Sequence, residues 1–142
     1  MAAALSGTFG FELDLTTYTP EELEALRPYV AWYRAHGGLL RARDLNLLPR
    51  QAASALGAAW MIAAPDGSEA AVFAVGDALS GSHGTASMNS LPRLPLQGLD
   101  PAAVYEDEQG VQYTGAQLMA LGLPLPGARG LTPACIWYLH RV

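Results

Sequence analysis

Two acidic side chains near the N-terminus, Glu12 and Asp14, are the first residues whose spacing would support chemistry. Two positions apart on a β-strand, they would share a face and lie about 6.5–7 Å apart along it. Pairs of carboxylic acids separated by roughly 5–9.5 Å carry out glycoside hydrolysis. The solvated face of an ordinary strand carries such pairs as well, and we favour this second interpretation. A further acidic run, Glu106–Glu108, precedes Gln109-Gly110 and is predicted to form a solvated turn.

The three histidines, His36, His83 and His140, and the single cysteine, Cys135, lack the spacing of metal ligands. We therefore expect no metal site, and we expect Cys135 to be a buried, unreactive thiol in the apolar run 134–139. One cysteine cannot form an internal disulfide, so the sequence does not require an oxidising compartment. A Ser–His–Asp triad assembles from distant residues, so the spacing leaves that arrangement open.

Aromatic side chains offer a second kind of chemistry, because they stack on sugar rings where they are exposed. The candidates are Trp32, Trp60, Trp137, Tyr29, Tyr33 and Tyr105. Trp60 and Trp137 lie within apolar stretches, which favours a place in the core. Trp32 lies off the main apolar stripe of its predicted helix, so a core position and an exposed one both stay open.

Composition excludes several classes of partner. The chain carries a net charge of −5 and scatters its 8 basic residues, all of them arginines, along its length. Nucleic-acid phosphates and anionic membranes bind clustered cations, so we expect neither partner. Residues 1–5 lack the basic region of a signal peptide and no apolar run is long enough to cross a membrane, so we expect a cytoplasmic protein. Charged residues make up 15% of the chain against about 25% in an ordinary soluble domain, which indicates that some apolar surface meets a partner.

The N-terminal part is predicted to form a strand followed by a helix. From Phe9 to Leu15, apolar and polar side chains alternate as in a strand with one apolar face, and such a strand without a neighbour invites self-association. We expect Pro28 to disturb the helix, because an interior proline costs about 3 kcal/mol or forces a kink. We expect residues 37–38 (Gly-Gly) to end the helix and Leu39–Leu48 to form a second short amphipathic piece. The start of the helix is predicted from a capping box and a proline at the first position, formed by Thr19, Glu22 and Pro20.

From residue 58 onward the spacing becomes typical of strands. Residues 58–64 and 69–75 flank Pro65-Asp66-Gly67-Ser68, a sequence typical of a tight turn, and are predicted to form a β-hairpin. Residues 80–90 are predicted to be a polar loop. Further strands are predicted at Leu91–Gln97, Ala103–Asp107 and Ala134–His140, with one or two helical turns at Gly115–Leu121. Short strands at this spacing favour an antiparallel β-sandwich.

Several short segments follow one another in an order that carries a family resemblance. They are Phe9–Leu15, Thr19–Glu22, Ala59–Ile62, Pro65–Ala70, Leu96–Pro101, Gly115–Met119 and Gly122–Pro126. In this order the chain resembles the C-terminal end of the α-galactosidases of glycoside hydrolase family 36. The resemblance implies a mainly β fold, in which one strand–helix unit like the end of a TIM-type barrel (residues 1–48) precedes an antiparallel Greek-key β-sandwich (residues 49–142). The chain departs from the family pattern at residues 80–92 and at Pro28.

The resemblance also implies what the chain lacks. The family's catalytic aspartates lie on earlier barrel strands, in Lys-Trp-Asp and Ser-Asp-Asn contexts, and neither motif occurs in this sequence. The resemblance therefore implies no catalytic residue and no cofactor here. The expected function is that of the non-catalytic, structural C-terminal portion of a retaining enzyme that would hydrolyse terminal α-galactosides such as melibiose or raffinose. The expected partner is the rest of the barrel or a second copy of the chain.

Two other functions stay open on the residues alone. One is a stand-alone carbohydrate-binding β-sandwich module that uses Trp32 or an exposed sheet face. The other is a small hydrolase built on Glu12 and Asp14.

Overall fold

The computed structural model describes residues 2–11, 14–42, 45–48, 56–76, 93–124 and 134–142. Its helices are α1 (Ala2–Leu5), α2 (Pro20–Ala42) and α3 (Gly115–Ala120), with a turn of 3₁₀-helix at Leu15–Thr17. Its strands are β1 (Leu45–Leu47), β2 (Leu56–Ala63), β3 (Glu69–Gly76), β4 (Arg93–Leu94), β5 (Val104–Asp107), β6 (Gln112–Thr114), β7 (Leu123–Pro124) and β8 (Ala134–Arg141). No helix in these ranges combines the length and the apolar character needed to cross a bilayer.

The strands form two antiparallel sheets. The larger has six strands in the order β1-β2-β3-β8-β5-β6, and the smaller consists of β4 and β7. The last strand, β8, lies between β3 and β5, with Val72 opposite Trp137 on one side and His140 opposite Glu106 on the other. The mainly β, antiparallel fold that the sequence predicts is confirmed.

The large sheet buries apolar side chains on both faces, because strand residues alternate in direction. The first cluster, which we call the inter-sheet core, lies between the two sheets and contains Met61, Val72, Leu94, Tyr105, Leu118, Leu123 and Leu139 among its buried members. The second, the helix–sheet core, lies under α1 and α2 and contains Leu5, Leu39, Leu40, Trp60, Ile62, Ala64, Ala71 and Phe73. The fold is therefore a sandwich of two unequal sheets with helices on its outer face.

The predicted hairpin is confirmed as β2 and β3. Its turn contains Gly67 at a φ of 65°, a backbone conformation that glycine adopts without strain. The Asp66 carboxylate accepts hydrogen bonds from the backbone N–H and the hydroxyl of Ser68, at 3.0 and 2.7 Å. These hydrogen bonds to Ser68 lower the pKa of Asp66.

Helix α2 begins as predicted and ends later than predicted. The Thr19 N–H donates to the Glu22 carboxylate at 2.9 Å and the Glu22 N–H donates to the Thr19 hydroxyl at 3.3 Å, which is the predicted capping box. The helix does not stop at residues 37–38 but continues to Ala42, so the predicted separate piece Leu39–Leu48 is wrong. Leu39 and Leu40 are buried in the helix–sheet core, and this burial outweighs the roughly 1 kcal/mol that each helical glycine costs.

The predicted strand Phe9–Leu15 is wrong. Residues 9–11 are irregular, and Asp14 precedes the 3₁₀ turn, while Glu12 lies outside the described residues. A strand needs a hydrogen-bonded neighbour, and the two described sheets provide none for this segment. The Phe9 ring instead packs against Tyr33 of α2, with ring centroids 5.4 Å apart.

The remaining predicted elements differ in outcome. The strand at Ala103–Asp107, the strand at Ala134–His140 and the short helix after Gly115 are confirmed as β5, β8 and α3. The predicted strand Leu91–Gln97 is too long, because within residues 93–97 only Arg93 and Leu94 are paired. The predicted loop 80–90 lies outside the described residues.

Candidate functional site

Polar and aromatic side chains from four segments meet where α2 crosses the large sheet. Trp32 and His36 come from α2, and their spacing of four residues places them on one face of the helix. Glu69 begins β3 and Tyr138 lies on β8, where both point towards α2. Glu108 follows β5 in the turn that leads to β6. We call these five side chains the polar joint.

The polar joint is a continuous series of contacts. The Trp32 indole N–H donates to the Glu108 carboxylate at 2.9 Å, and His36 Nε2 lies 3.8 Å from the same oxygen. The His36 ring lies 3.9 Å from the Tyr138 ring and 4.7 Å from the Trp32 ring, centroid to centroid. The Tyr138 hydroxyl in turn donates to the Glu69 carboxylate at 2.5 Å. These contacts connect α2 to β3, to β8 and to the turn after β5.

Burial sets the protonation of the polar joint. Desolvation lowers the pKa of His36 below its usual value, although the negative charges of Glu108 and Glu69 act in the opposite direction. Desolvation also raises the pKa of Tyr138, and the hydrogen bond to Glu69 raises it further. At neutral pH, therefore, the imidazole is uncharged and the phenol keeps its proton. With aromatic rings packed against the imidazole, the polar joint is better suited to holding a helix on a sheet than to binding a substrate.

A groove runs along the other side of α2. With 3.6 residues per turn, Leu23 and Val30 lie on the face roughly opposite to Trp32 and His36. The groove has a volume of about 450 Å³ and is lined by Phe11, Leu15, Leu23, Leu26, Arg27, Val30, Ala31 and Arg34. We call it the α2 groove. Leu15 and Leu23 keep 39% and 37% of their surface exposed, so the described residues leave this apolar face partly uncovered.

The acidic residues of the sequence hypotheses have structural roles. Asp14 accepts hydrogen bonds from the Thr16 N–H and hydroxyl at 3.0 and 2.6 Å, which lowers the pKa of Asp14 and caps the 3₁₀ turn. Its proposed catalytic partner, Glu12, lies outside the described residues. The prediction that 106–108 form a solvated turn is wrong in part, because Asp107 is buried and Glu108 binds Trp32. The Asp14 and Asp107 carboxylates accept hydrogen bonds from residues that lie close by in the chain, whereas the Glu108 carboxylate binds a tryptophan 76 residues away, which local sequence does not reveal.

The histidines and the cysteine occupy separate places. His36 belongs to the polar joint, and His140 lies on β8 with its ring 6.2 Å from Tyr138, while His83 is outside the described residues. No three His, Cys, Asp or Glu side chains in the described ranges are grouped so as to hold a metal ion. Cys135 is partly exposed on β8, so its predicted full burial is wrong.

The aromatic residues divide between core and joint. Trp60 is buried and stacks on Phe73 with centroids 5.7 Å apart, and Trp137 packs against the inter-sheet core, as the sequence predicts. Trp32 is partly buried, and its N–H is already bound to Glu108. Sequence reasoning missed the roles of Glu69, Glu108 and Tyr138, because their partners lie 69 to 76 residues away. The spacing of Trp32 and His36 on one helical face was the available signal.

Comparison with known proteins relates the chain to parts of larger enzymes. Residues 57–139 match the family described as glycosyl hydrolase family 36 C-terminal domain. The bifunctional alpha-galactosidase/sucrose kinase AgaSK of Mediterraneibacter gnavus is 33% identical over 124 residues, which are 87% of this chain and 12% of that protein. Alpha-galactosidase AgaA of Geobacillus stearothermophilus is 34% identical over 144 residues, covering 98% of this chain and 18% of that protein.

Solved structures give the same relationship. The galactosidase domain of AgaSK aligns with a TM-score of 0.80 and 29% identity, over 99% of this chain and 19% of that one. AgaA of Geobacillus stearothermophilus in complex with raffinose aligns with a TM-score of 0.79 and 30% identity, with the same coverage. The chain thus spans less than a fifth of the length of the proteins that it matches.

Proposed function

This chain belongs to glycosyl hydrolase family 36, whose C-terminal domain it matches, and on that premise we propose that it is the non-catalytic, structural C-terminal portion of a retaining α-galactosidase-like enzyme. The observation that carries the proposal is the likeness in fold to larger galactosidases, which extends over nearly the whole chain and therefore includes α2. The whole enzyme would hydrolyse terminal α-galactosides such as melibiose or raffinose. A cytoplasmic location is part of the proposal.

The exposed α2 groove supports an assignment of the two parts of the chain to different domains of such an enzyme. We propose that residues 1–48 belong with the catalytic barrel, apart from β1 and Leu48, since β1 pairs with β2 of the large sheet and Leu48 is buried in the inter-sheet core. Residues 49–142 would form, with β1, the β domain that packs beside the barrel. The exposed apolar side chains of Leu15 and Leu23 would then be covered by the barrel. The polar joint on the opposite side of α2 would fix the β domain to that barrel helix.

The geometry that retaining hydrolysis requires supports the proposal that this chain is non-catalytic. Such hydrolysis requires two carboxyl groups about 5–5.5 Å apart, one of them free to attack the sugar. The Asp14 carboxylate is instead bound to Thr16 at the cap of the 3₁₀ turn. A hydrolase built on Glu12 and Asp14 is therefore disfavoured.

Carbohydrate binding by Trp32 is the other candidate, and the contacts of Trp32 disfavour it as well. Its N–H is bound to Glu108, and its ring packs at 4.7 Å from His36 and 6.0 Å from Phe73. A sugar that stacked on this ring would have to displace those contacts. Titration of the labelled chain with galactose, followed by NMR, would detect binding as shifts at Trp32.

A chimaeric enzyme tests the proposal. The C-terminal region of Geobacillus AgaA that matches this chain is replaced by this chain, and hydrolysis of raffinose is measured. We expect an active chimaera and no hydrolysis by the isolated chain. Leu26→Asp in the α2 groove should abolish most of the activity, because it places a charge in an apolar contact, whereas Ala35→Asp, on an exposed part of α2 outside the groove, should leave it nearly unchanged.

Two results would overturn the proposal. One is hydrolysis by the isolated chain that disappears in Asp14→Asn, which would make the chain itself a catalyst. The other is a chimaera in which Leu26→Asp is as active as Ala35→Asp, which would show that the barrel does not cover the groove.

A further inference from the structure

Helix α2 is held on the sheet by apolar side chains and by a titratable group placed among them. Leu39 and Leu40 enter the helix–sheet core near the end of the helix, while His36 lies one turn earlier, in the polar joint. We propose that His36 is a pH-sensitive latch, which holds α2 against the large sheet when the imidazole is neutral and loosens it when the imidazole is protonated.

The surroundings of His36 favour a neutral ring. Its side chain is 15% exposed, and its ring is packed against those of Trp32 and Tyr138. A neutral imidazole packs against these rings without loss of hydration, whereas an imidazolium gives up most of its hydration in a position that is only 15% exposed. Protonation would therefore favour movement of the side chain out of the joint, and with it the adjacent turns of α2.

The charged and titratable groups around His36 come from three segments. Glu108 lies 3.8 Å away in the turn after β5, Glu69 comes from β3, and Tyr138 and His140 come from β8. The two carboxylates attract a cation, and a protonated His140 would oppose one. On α2 itself, the Arg41 guanidinium lies over the Tyr33 ring, at 5.8 Å.

The effect of burial on the pKa of His36 is larger than the opposite effect of the two carboxylates. Burial lowers the pKa of His36 below the ordinary 6.5, so the undocked helix binds more protons than the docked helix as the pH falls. The contribution of His36 to docking is thus complete above pH 6.5 and is lost as the pH falls through its lowered pKa. Tyr138 does not compete in this range, because burial and Glu69 raise its pKa.

The test uses the 142-residue chain alone. NMR titration of the histidine ring protons should give His36 a midpoint below 6.5, identified by the signal that is lost in His36→Gln. Hydrogen exchange, corrected for the intrinsic effect of pH, should show that the amides of residues 32–40 lose protection between neutral pH and about pH 5. The amides of β2 and β3 should keep theirs, and His36→Gln should not show the pH-dependent loss.

Glu108→Gln provides a second variant in case His36→Gln does not fold. Glutamine can still accept the Trp32 hydrogen bond, but it removes a negative charge beside His36, so the His36 midpoint should fall further. Glu21→Gln, in the exposed first turn of α2, should leave the midpoint unchanged. A His36 midpoint at or above 6.5, or equal loss of protection in His36→Gln, would overturn the latch. Neither result bears on the chimaera, since no catalytic portion is present in this test.

Discussion

The hydroxyl of Tyr105 donates a 2.7 Å hydrogen bond to the carbonyl of Gly67, and the two residues are 38 positions apart in the chain. The same hydroxyl accepts the backbone N–H of Asp100 at 3.0 Å. Tyr105 is fully buried in the inter-sheet core, so water does not compete with the Gly67 carbonyl for its hydroxyl. One phenol therefore joins the β2–β3 turn to the turn that precedes β5.

Tyr105→Phe should destabilise the fold by about 1–3 kcal/mol, because it leaves the buried Gly67 carbonyl and the partly buried Asp100 N–H without partners. The free energy of unfolding, measured with urea, checks this. Tyr113→Phe is the matched control, since the Tyr113 hydroxyl is only part-buried and lies 3.4 Å from the Asp107 carboxylate. Its cost should stay below about 1 kcal/mol. Equal losses in the two variants would contradict the role assigned to Tyr105.

Gly115 marks a close approach of two backbone segments. A Cβ at this position would lie 2.0 Å from the carbonyl oxygen of Asp100, and that oxygen cannot move without displacing the turn. Gly115→Ala should therefore cost at least about 2 kcal/mol. In Gly38→Ala the new Cβ meets nothing within 4 Å, and the helix should gain roughly 0.5–1 kcal/mol. Thermal unfolding of both variants should give shifts of opposite sign, and shifts of the same sign would refute the argument.

Features encoded by neighbouring residues were predictable from the sequence. The β2–β3 hairpin follows from Pro65–Ser68, and the start of α2 follows from the Thr19–Glu22 box. Each of these depends on residues a few positions apart, so local chemistry decides it. The order of such segments was also sufficient to indicate the family.

Features decided by distant partners were not predictable. Gly37 and Gly38 would end an isolated helix, but burial of Leu39 and Leu40 against the sheet extends it. The Phe9–Leu15 alternation would suit a strand, but no described neighbour pairs with it. The polar joint could not be predicted from the sequence, because Glu108 and Trp32 lie 76 residues apart in the chain and only the fold brings them together.

Pro28 lies inside α2, where it has no N–H to donate and where it faces solvent. An interior proline costs a helix up to about 3 kcal/mol relative to alanine, and the stiffer unfolded chain offsets part of that. Pro28→Ala should therefore stabilise the fold by about 1–2 kcal/mol and increase helical circular dichroism. Pro20→Ala is the control, because proline at the first helical position has no bond to lose, and it should bring no gain. A gain at residue 20 equal to that at 28 would contradict this account.

The Asp107 side chain stabilises the β5–β6 hairpin through hydrogen bonds to the backbone of its turn. Its carboxylate accepts the backbone N–H groups of Gln109 and Val111, both at 2.9 Å, and is 9% exposed. Asp107→Ala should cost about 1.5–3 kcal/mol, because both donors lose a charged acceptor. Asp107→Asn keeps one oxygen for these donors and should cost less.

Asp107→Asn also has a spectroscopic readout, the pKa of Tyr113. Burial raises the pKa of Tyr113, and the charge of Asp107 raises it further. Asp107→Asn removes that charge, so the pKa of Tyr113 should fall but stay above 10.0, since burial remains. Ultraviolet titration of the phenol, with Tyr113→Phe to identify its signal, measures the shift. An unchanged pKa of Tyr113 in Asp107→Asn would contradict the assigned contact, because it would mean that the Asp107 charge does not act on the phenol.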